Sequence, residues 1–114
     1  MMQIHVDERD GAVVITLDGD ALGGPDGTAL HERLRELREA GKRNAVVDMA
    51  GIGRMNSSGL GMLIGALTLM RNAGGDLRLA RLGDRQRQLL AITRLQGVFE
   101  TFDTVEAAVQ SYAA

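Results

Sequence analysis

The sequence contains no cysteine and no tryptophan, and its only aromatic residues are two phenylalanines and one tyrosine. The lack of cysteine excludes disulfide bonds, thiolate metal sites and a cysteine nucleophile. So few aromatic side chains leave little surface for stacking on nucleobases or sugars, which argues against such ligands. The core must therefore be built from leucine, isoleucine, valine, methionine and alanine.

Neither sign of charge predominates, and no apolar run is long. Thirteen lysines and arginines stand against fifteen aspartates and glutamates, for a net charge of −2, and no basic stripe is present to follow a phosphate backbone. No segment is long enough to cross a bilayer, and Met1 does not begin a signal-like stretch. We therefore expect a cytoplasmic protein that binds no nucleic acid and does not insert into a membrane.

Proline is also scarce, with Pro25 as the only one, and no linker, internal repeat or low-complexity tract interrupts the chain. Hydrophobic residues make up 45% of the sequence and charged residues 25%, which is typical of a globular domain. We expect one domain over residues 1–114, large enough for a hydrophobic core.

The N-terminal third predicts a hairpin followed by a surface helix. Residues 3–7 alternate in hydrophobicity and residues 12–17 are rich in β-branched side chains, with an Asp-Gly turn signal at residues 10–11. Glycines and the proline predict a loop over residues 19–27. Leucines then recur every three or four positions with charges between them over residues 28–41, which predicts an amphipathic helix ended by the last glycine of that range.

The rest of the chain alternates between strand and helix patterns. Strands are predicted over residues 44–49, 76–80 and 98–102, and helices over residues 57–72, from a cap at Asp84 and from a cap at Thr104. The resulting order is β-β-α-β-α-β-α-β-α. Alternation at these spacings predicts an α/β fold, with a single mixed β-sheet covered by about four helices and right-handed crossovers.

A polar junction precedes the helix predicted over residues 57–72. Asn56, Ser57 and Ser58 stand where the polar turn gives way to apolar sequence, and all three are residue types that favour helix N-caps. Three uses are open on this basis: an ordinary cap, the floor of a small-molecule site, and a place to attach a charge. The structural role alone explains these residue types as well as a functional one does.

The helix itself favours a functional role because it carries no ionised side chain between Gly59 and Met70. One face of the helix carries only small, uncharged residues and is here called the small face. A second flank is apolar, in addition to the apolar side that is expected to face the core. The small face consists of Gly61, Gly65, Thr68 and Asn72, and the apolar flank of Met62, Ala66, Leu69 and Ala73. Either the helix is enclosed within the domain or a partner covers its outer face. Enclosure is harder to arrange in so small a chain, so we favour the partner.

A serine at the start of this helix is suited to act as a switch. Phosphorylation would add roughly −1.5 to −2 charges at neutral pH. The helix dipole and the free backbone N–H groups favour an anion at this end, so the domain should stay folded. The added charge would instead repel a partner that docks over the small face.

The segment Asn56-Ser-Ser-Gly-Leu-Gly61 resembles the hallmark of the STAS domains, and specifically of the bacterial anti-sigma factor antagonists. In that family a strand is followed by Asp-Ser-Ser/Thr-Gly-Leu-Gly at the start of a helix. The resemblance covers nearly the whole chain: residues 17–19 are similar to the family's Leu-x-Gly, residues 73–79 to its Gly-Gly-x-Leu-x-Leu strand, and residues 89–95 to its third helix. It implies a β-sheet with four helices and regulation by partner switching.

In such systems the unphosphorylated antagonist binds an anti-sigma factor, itself a serine kinase with a GHKL-type ATP fold, and thereby frees the sigma factor. The resemblance implies that this kinase phosphorylates Ser57, with Ser58 as the alternative acceptor, and that a serine phosphatase reverses the reaction. ATP would belong to the partner, so no cofactor, metal or catalytic residue is expected in this chain. The oligomeric state stays open.

Residues around the motif are the expected partner contacts. The set comprises Asn56, Ser58, Gly59, Gly61, Met62, Gly65 and, ahead of the first helix, Asp20. Two positions depart from the family pattern, since Asn56 replaces the usual aspartate and Leu22 stands where an acidic partner contact is common. These departures support an alternative, a STAS subunit that acts without phosphorylation in a stress-sensing scaffold or a lipid-transport complex.

Signals of catalysis and of nucleotide binding are weak. The residue types of a serine–histidine–aspartate triad are present as Ser57, His31 and Asp48, but no sequence motif fixes their relative geometry. His31 and His5 are both interpreted as solvated surface residues. Residues 51–53 follow a strand with two glycines, yet the third glycine of a dinucleotide-binding loop is missing.

Overall fold

The computed structural model describes residues 2–113 as a mixed β-sheet of six strands with four helices. The elements, in chain order, are β1 (Gln3–Arg9), β2 (Ala12–Ala21), α1 (Pro25–Glu39), β3 (Asn44–Asp48), β4 (Ile52–Met55), α2 (Ser57–Asn72), β5 (Asp76–Ala80), α3 (Asp84–Ile92), β6 (Thr101–Phe102) and α4 (Val105–Gln110). The predicted α/β architecture is confirmed. Within residues 2–113, no helix combines the length and the apolar composition needed to span a membrane.

The strand order in the sheet is β1-β2-β3-β5-β6, and β4 pairs with the far end of β2. β1 and β2 are antiparallel and are joined at Asp10 and Gly11, which have φ values of 50° and 84°. Two central residues with positive φ are characteristic of a type I′ hairpin turn, so the predicted hairpin is confirmed. All other pairings are parallel, which requires crossover connections of the kind that α1, α2 and α3 supply.

The central strand β2 contributes to two cores, one on each face of the sheet. Val13, Ile15 and Leu17 pack into the larger core, which also contains the buried side chains of α1 and α2. Ala12 and Val14 point the other way, into a smaller core that α4 covers. Helices on both faces explain why β2 is a nearly continuous apolar run and does not alternate.

The structure adds a strand that the sequence did not predict. β4 is four residues long, and its two central residues, Gly53 and Arg54, are exposed. Such a segment has neither the length nor the alternation that predicts a strand. It forms because it pairs with β2, at Gly19 and Ala21, where β2 extends beyond β3.

β2 and α1 are both longer than predicted, at the expense of the loop over residues 19–27. β2 continues to Ala21, with Gly19 at a φ of 108°, and α1 begins at Pro25. Proline suits the first turn of a helix because the N–H that it lacks would have no intrahelical acceptor there. The predicted end of α1 is confirmed, since Gly41 follows the helix with a φ of 84°.

Two predictions in the C-terminal third need correction. The N-cap of α3 is Gly83 and not Asp84, and the side-chain oxygen of Gln86 accepts the N–H of Gly83 at 2.7 Å. The last strand is limited to Thr101–Phe102, because the residues before it form turns. The predicted cap of α4 is confirmed: the Thr104 hydroxyl accepts a hydrogen bond from the first turn of the helix at 3.0 Å.

Candidate functional site

Helix α2 begins with an N-cap at Asn56. This residue has an extended backbone, with φ −113° and ψ −176°, and its side-chain oxygen accepts a hydrogen bond from the N–H of Gly59 at 2.9 Å. One of the backbone donors that the first turn leaves without an intrahelical partner is thereby satisfied. The structure confirms the cap, which makes Ser57 and Ser58 the first two residues of the helix.

Both of these serines are exposed at the start of α2. The first turn contains no acidic side chain, and its remaining free N–H groups form the positive end of the helix dipole. A phosphate attached to Ser57 would therefore enter solvent and not the core, at a helix end that favours negative charge. The arrangement can accept a charge without requiring the domain to unfold.

Two glycines allow the end of β2 and the segment that follows it to pack directly against the start of α2. A Cβ atom at Gly59 would overlap the carbonyl oxygen of Ala21, at the end of β2. Gly23 has a φ of 84°, and a Cβ atom there would lie 2.9 Å from the Cβ atom of Ser58. A larger side chain at either position would push the helix and the preceding segment apart.

Asp20 connects the end of β2 to β4. Its carboxylate accepts hydrogen bonds from the backbone N–H of Arg54 at 2.8 Å and from Nε and Nη2 of the same arginine at 3.2 and 3.0 Å. These bonds, led by the one from the backbone, lower the pKa of the Asp20 carboxyl below its ordinary value. Since Arg54 lies two residues before Asn56, the ion pair also positions the turn into α2. The carboxylate predicted as a partner contact is thus engaged within the chain.

The small face of α2 is open at its ends and covered in its middle. Gly61, Thr68 and Asn72 are exposed, and apart from its chain neighbours and the adjacent backbone of α2 itself, no described atom lies within 4 Å of a Cβ atom built at Gly61. Gly65 is half-buried beneath the ring of His31, whose Cε1 would lie 2.6 Å from a Cβ atom at that glycine. The open positions next to the serines therefore form an uncharged surface that a second molecule can reach.

His31 is not the solvated surface residue that the charged sequence of α1 predicted. Its ring is half-buried, and Nε2 lies at hydrogen-bonding distance, 3.1 Å, from the carbonyl oxygen of Met62. The side chain of Met62 is itself buried, and a Cβ atom built at Gly27 of α1 would lie 3.4 Å from its Cγ. α1 thus covers the apolar flank at Met62 and the middle of the small face at Gly65, while Gly61 is left open.

Two of the expected partner contacts are buried. Gly59 and Met62 lie beneath the surface, where they pack α2 against β2 and α1, so the surface open to a partner in this structure does not include them. The sequence shows that both are uncharged, but it does not show which elements cover them. Asn56, Ser58 and Gly61 are exposed, and their assignment stays a prediction.

A groove of about 470 Å³ opens beside the cap of α2. Its lining residues are Leu22, Gly53, Arg54, Met55, Asn56, Arg85 and Gln86. No site role for Arg85 or Gln86 is predictable from the sequence, because α3 is separated from the serines along the chain by the whole of α2 and β5. Only the tertiary structure brings the start of α3 to this position.

The hypothetical catalytic triad does not form. Asp48 accepts hydrogen bonds from Nε and Nη2 of Arg81 at 2.9 and 2.6 Å, and His31 is directed to the backbone of α2. Neither side chain is therefore available to activate Ser57. Among the described residues, no cluster of three or more histidine, cysteine, aspartate or glutamate side chains could hold a metal ion.

The fold and the site define a small α/β domain that exposes two serine hydroxyls at a capped helix start. The family model described as the STAS domain matches residues 3–108. The chain belongs to the STAS domain family.

Its relatives include proteins named as anti-sigma factor antagonists. The chain is 31% identical over 113 residues to the anti-sigma-B factor antagonist of Bacillus subtilis, covering 96% of this chain and all of the relative. An anti-sigma factor antagonist from Mycobacterium paratuberculosis has the same fold, with a TM-score of 0.83 at 18% identity over all of this chain and 96% of the other. The phosphorylated form of the Bacillus cell fate determinant SpoIIAA superposes with a TM-score of 0.73 at 18% identity, over 96% of this chain and 98% of that one.

Proposed function

We propose that this chain is an anti-sigma factor antagonist, a cytoplasmic regulatory protein without catalytic activity that binds an anti-sigma factor when it is unphosphorylated. The observation that carries the proposal is the position of Ser57, exposed at the capped start of α2 beside a helix surface without charge. The similarity to the Bacillus subtilis antagonist supports it. The proposed partner is a serine kinase of GHKL type, and a serine phosphatase would restore the unphosphorylated form.

The proposed switch uses phosphorylation of Ser57 to release the partner. The phosphate adds roughly −1.5 to −2 charges at neutral pH. Free N–H groups of the first turn and the helix dipole stabilise that charge, so the fold is retained. A partner that packs over the cap and the open end of the helix would have to bury the phosphate, which costs several kcal/mol without a compensating cation.

The proposed docking surface consists of the exposed residues on and beside the first turns of α2. Ser58 and Asn56 supply polar groups, and Gly61 leaves space for the partner's backbone to approach closely. Gly65 contributes only in part, because the ring of His31 covers it. Asp20 acts indirectly in this proposal, since its carboxylate holds Arg54 and the turn into the helix.

The test is a phosphorylation and binding experiment with the purified GHKL-type serine kinases encoded in the same genome. We expect one of them to bind the wild-type chain and, with ATP, to place a single phosphate on Ser57, as located by mass spectrometry. Ser57→Asp should weaken that binding at least tenfold in calorimetric titration while leaving the melting temperature within a few degrees of wild type. Ser58→Ala should still be phosphorylated if Ser57 is the acceptor.

A charge elsewhere on the surface provides the control. Gln88 is exposed on α3 and does not line the groove, so Gln88→Asp should bind the kinase as the wild type does. Binding that is unaffected by Ser57→Asp, or phosphate absent from both serines, would show that the switch is not as proposed.

The second candidate is a STAS subunit that docks without phosphorylation. Asn56 favours it, because this residue caps α2 through a neutral amide where the resembling proteins have an aspartate. In this case the chain would form a stable complex with a protein that is not a kinase, and Ser57→Asp and Ser57→Ala would affect that complex equally.

A further inference from the structure

The groove next to the cap of α2 has walls of two kinds. Leu22, directly after β2, is a large apolar side chain with 40% of its surface exposed, and Met55 is half-buried. On the other side, Arg85 stands exposed in the first turn of α3. The groove therefore offers an apolar contact surface and a guanidinium group within one space of about 470 Å³, a size at which ligand pockets are found.

The charge of the groove is positive although the chain as a whole carries a net charge of −2. Its two charged lining residues are arginines, and no acidic side chain lines it. Arg54 is paired with Asp20 at 3.0 Å. Among the ion pairs of the described residues, none includes Arg85. Arg85 is thus the cation available to an incoming anion.

The polar group at the floor of the groove is already satisfied. Gln86 is 6% exposed, its side-chain oxygen accepts the N–H of Gly83 at 2.7 Å, and its amide nitrogen lies 3.5 Å from the carbonyl oxygen of Ile52. An occupant is therefore recognised by Arg85 and by apolar contact, since the remaining lining offers no other free charge.

We propose that this groove binds an acidic residue flanked by an apolar side chain on the anti-sigma factor. The carboxylate pairs with Arg85, for which a planar two-point contact is the favoured geometry, and the apolar neighbour packs on Leu22 and Met55. A protein partner fits better than a free small molecule because Asn56 belongs to both the groove and the cap of α2. One partner that covers Ser57 thus reaches the groove. This inference rests on the proposed function.

The test compares two arginines of the same helix by charge reversal. Arg85→Glu should weaken binding of the anti-sigma factor at least tenfold in calorimetric titration, and the wild-type affinity should fall as salt is raised. Arg87 is also exposed on α3 but does not line the groove. Arg87→Glu should therefore change binding less than twofold. Equal effects of the two reversals, or no effect of Arg85→Glu, would overturn the proposal.

A second measurement separates failure of this inference from failure of the proposed function. If the wild type binds no anti-sigma factor, the function is wrong, and the groove is then tested by NMR titration with the peptides acetyl-Leu-Glu-Leu-amide and acetyl-Leu-Lys-Leu-amide. We expect the acidic peptide alone to shift the amides of Gly53 and Arg85, and the shifts to vanish in Arg85→Glu. Equal shifts from both peptides, no shifts, or stronger binding of hexanoate than of the acidic peptide would refute a groove for acidic protein segments.

Discussion

Gly59 is the position where a single methyl group should test the packing of α2 on the sheet. In Gly59→Ala the new Cβ atom would overlap the carbonyl oxygen of Ala21 and lie 3.2 Å from Cγ of Met55. A backbone carbonyl at the end of a strand cannot move aside as the tip of a flexible side chain can. The start of α2 would therefore have to shift away from β2, together with the serines that it carries.

The magnitude follows from two opposing effects. Overpacking in a well-packed region costs about 1–3 kcal/mol, whereas replacing a helical glycine by alanine gains up to about 1 kcal/mol. Because the overlap is with a backbone carbonyl, the cost should lie in the upper part of that range, at about 2–3 kcal/mol. The net expectation for Gly59→Ala is then a loss of about 1–2 kcal/mol in the free energy of unfolding. For a domain of this size that loss corresponds to a melting temperature lower by about 4–8 °C.

Gly61 provides a matched control two residues further along the same helix. Apart from its chain neighbours and the adjacent backbone of α2, no described atom lies within 4 Å of a Cβ atom there. Gly61→Ala therefore keeps the propensity gain without the clash and should raise the melting temperature by about 2–4 °C. Thermal unfolding followed by circular dichroism measures both variants. If Gly59→Ala melts at or above the wild-type temperature, α2 does not approach β2 as closely as described.

Three further variants test the cap of α2 and the ion pair between Asp48 and Arg81. Asn56→Ala removes the acceptor for the N–H of Gly59 and should lower the free energy of unfolding, measured by urea denaturation, by about 1 kcal/mol. Asn56→Asp keeps an acceptor and should lower it by less than about 0.5 kcal/mol. Similar losses in the two variants would mean that the cap contributes nothing. Burial raises the pKa of the Asp48 carboxyl, but hydrogen bonds from Arg81 and from a backbone N–H outweigh burial, so the net pKa is lowered. A carboxyl whose pKa is lowered by folding stabilises the fold at pH values above its pKa in the unfolded state, about 3.9. This contribution is lost as the pH falls through the pKa of the carboxyl in the folded state. Arg81→Ala should therefore lower the free energy of unfolding by about 1–2 kcal/mol at pH 7, which is less than for a fully buried ion pair because the arginine is half exposed. The loss should be clearly smaller at pH 2–3. The same loss at both pH values would refute the linkage between the Asp48 carboxyl and stability.

Features that depend on neighbours along the chain were predictable from the sequence. The cap at Asn56, the turn at residues 10–11 and the end of α1 at Gly41 are all present as expected. Each is formed by backbone groups within a few residues of the side chain or glycine that determines it, so residue type and position suffice.

Features that depend on distant segments were not predictable in the same way. β4 has no strand pattern of its own and exists because β2 runs past β3 and offers it a pairing edge. The groove joins Leu22 of the segment after β2, Arg54 of β4 and Arg85 of α3, which are far apart in sequence. No local pattern indicates that these side chains share one space.

Helix α2 shows which features the sequence determines and which depend on the tertiary structure. The sequence by itself determined that the helix starts at a capped pair of serines and carries no charge on either of its two outer sides. Only the tertiary structure decided which side is covered: α1 packs over Met62 and places His31 on Gly65, while Gly61 is left open. The reason is that a cap is satisfied within one helical turn, whereas burial depends on which distant segment the fold brings against a surface.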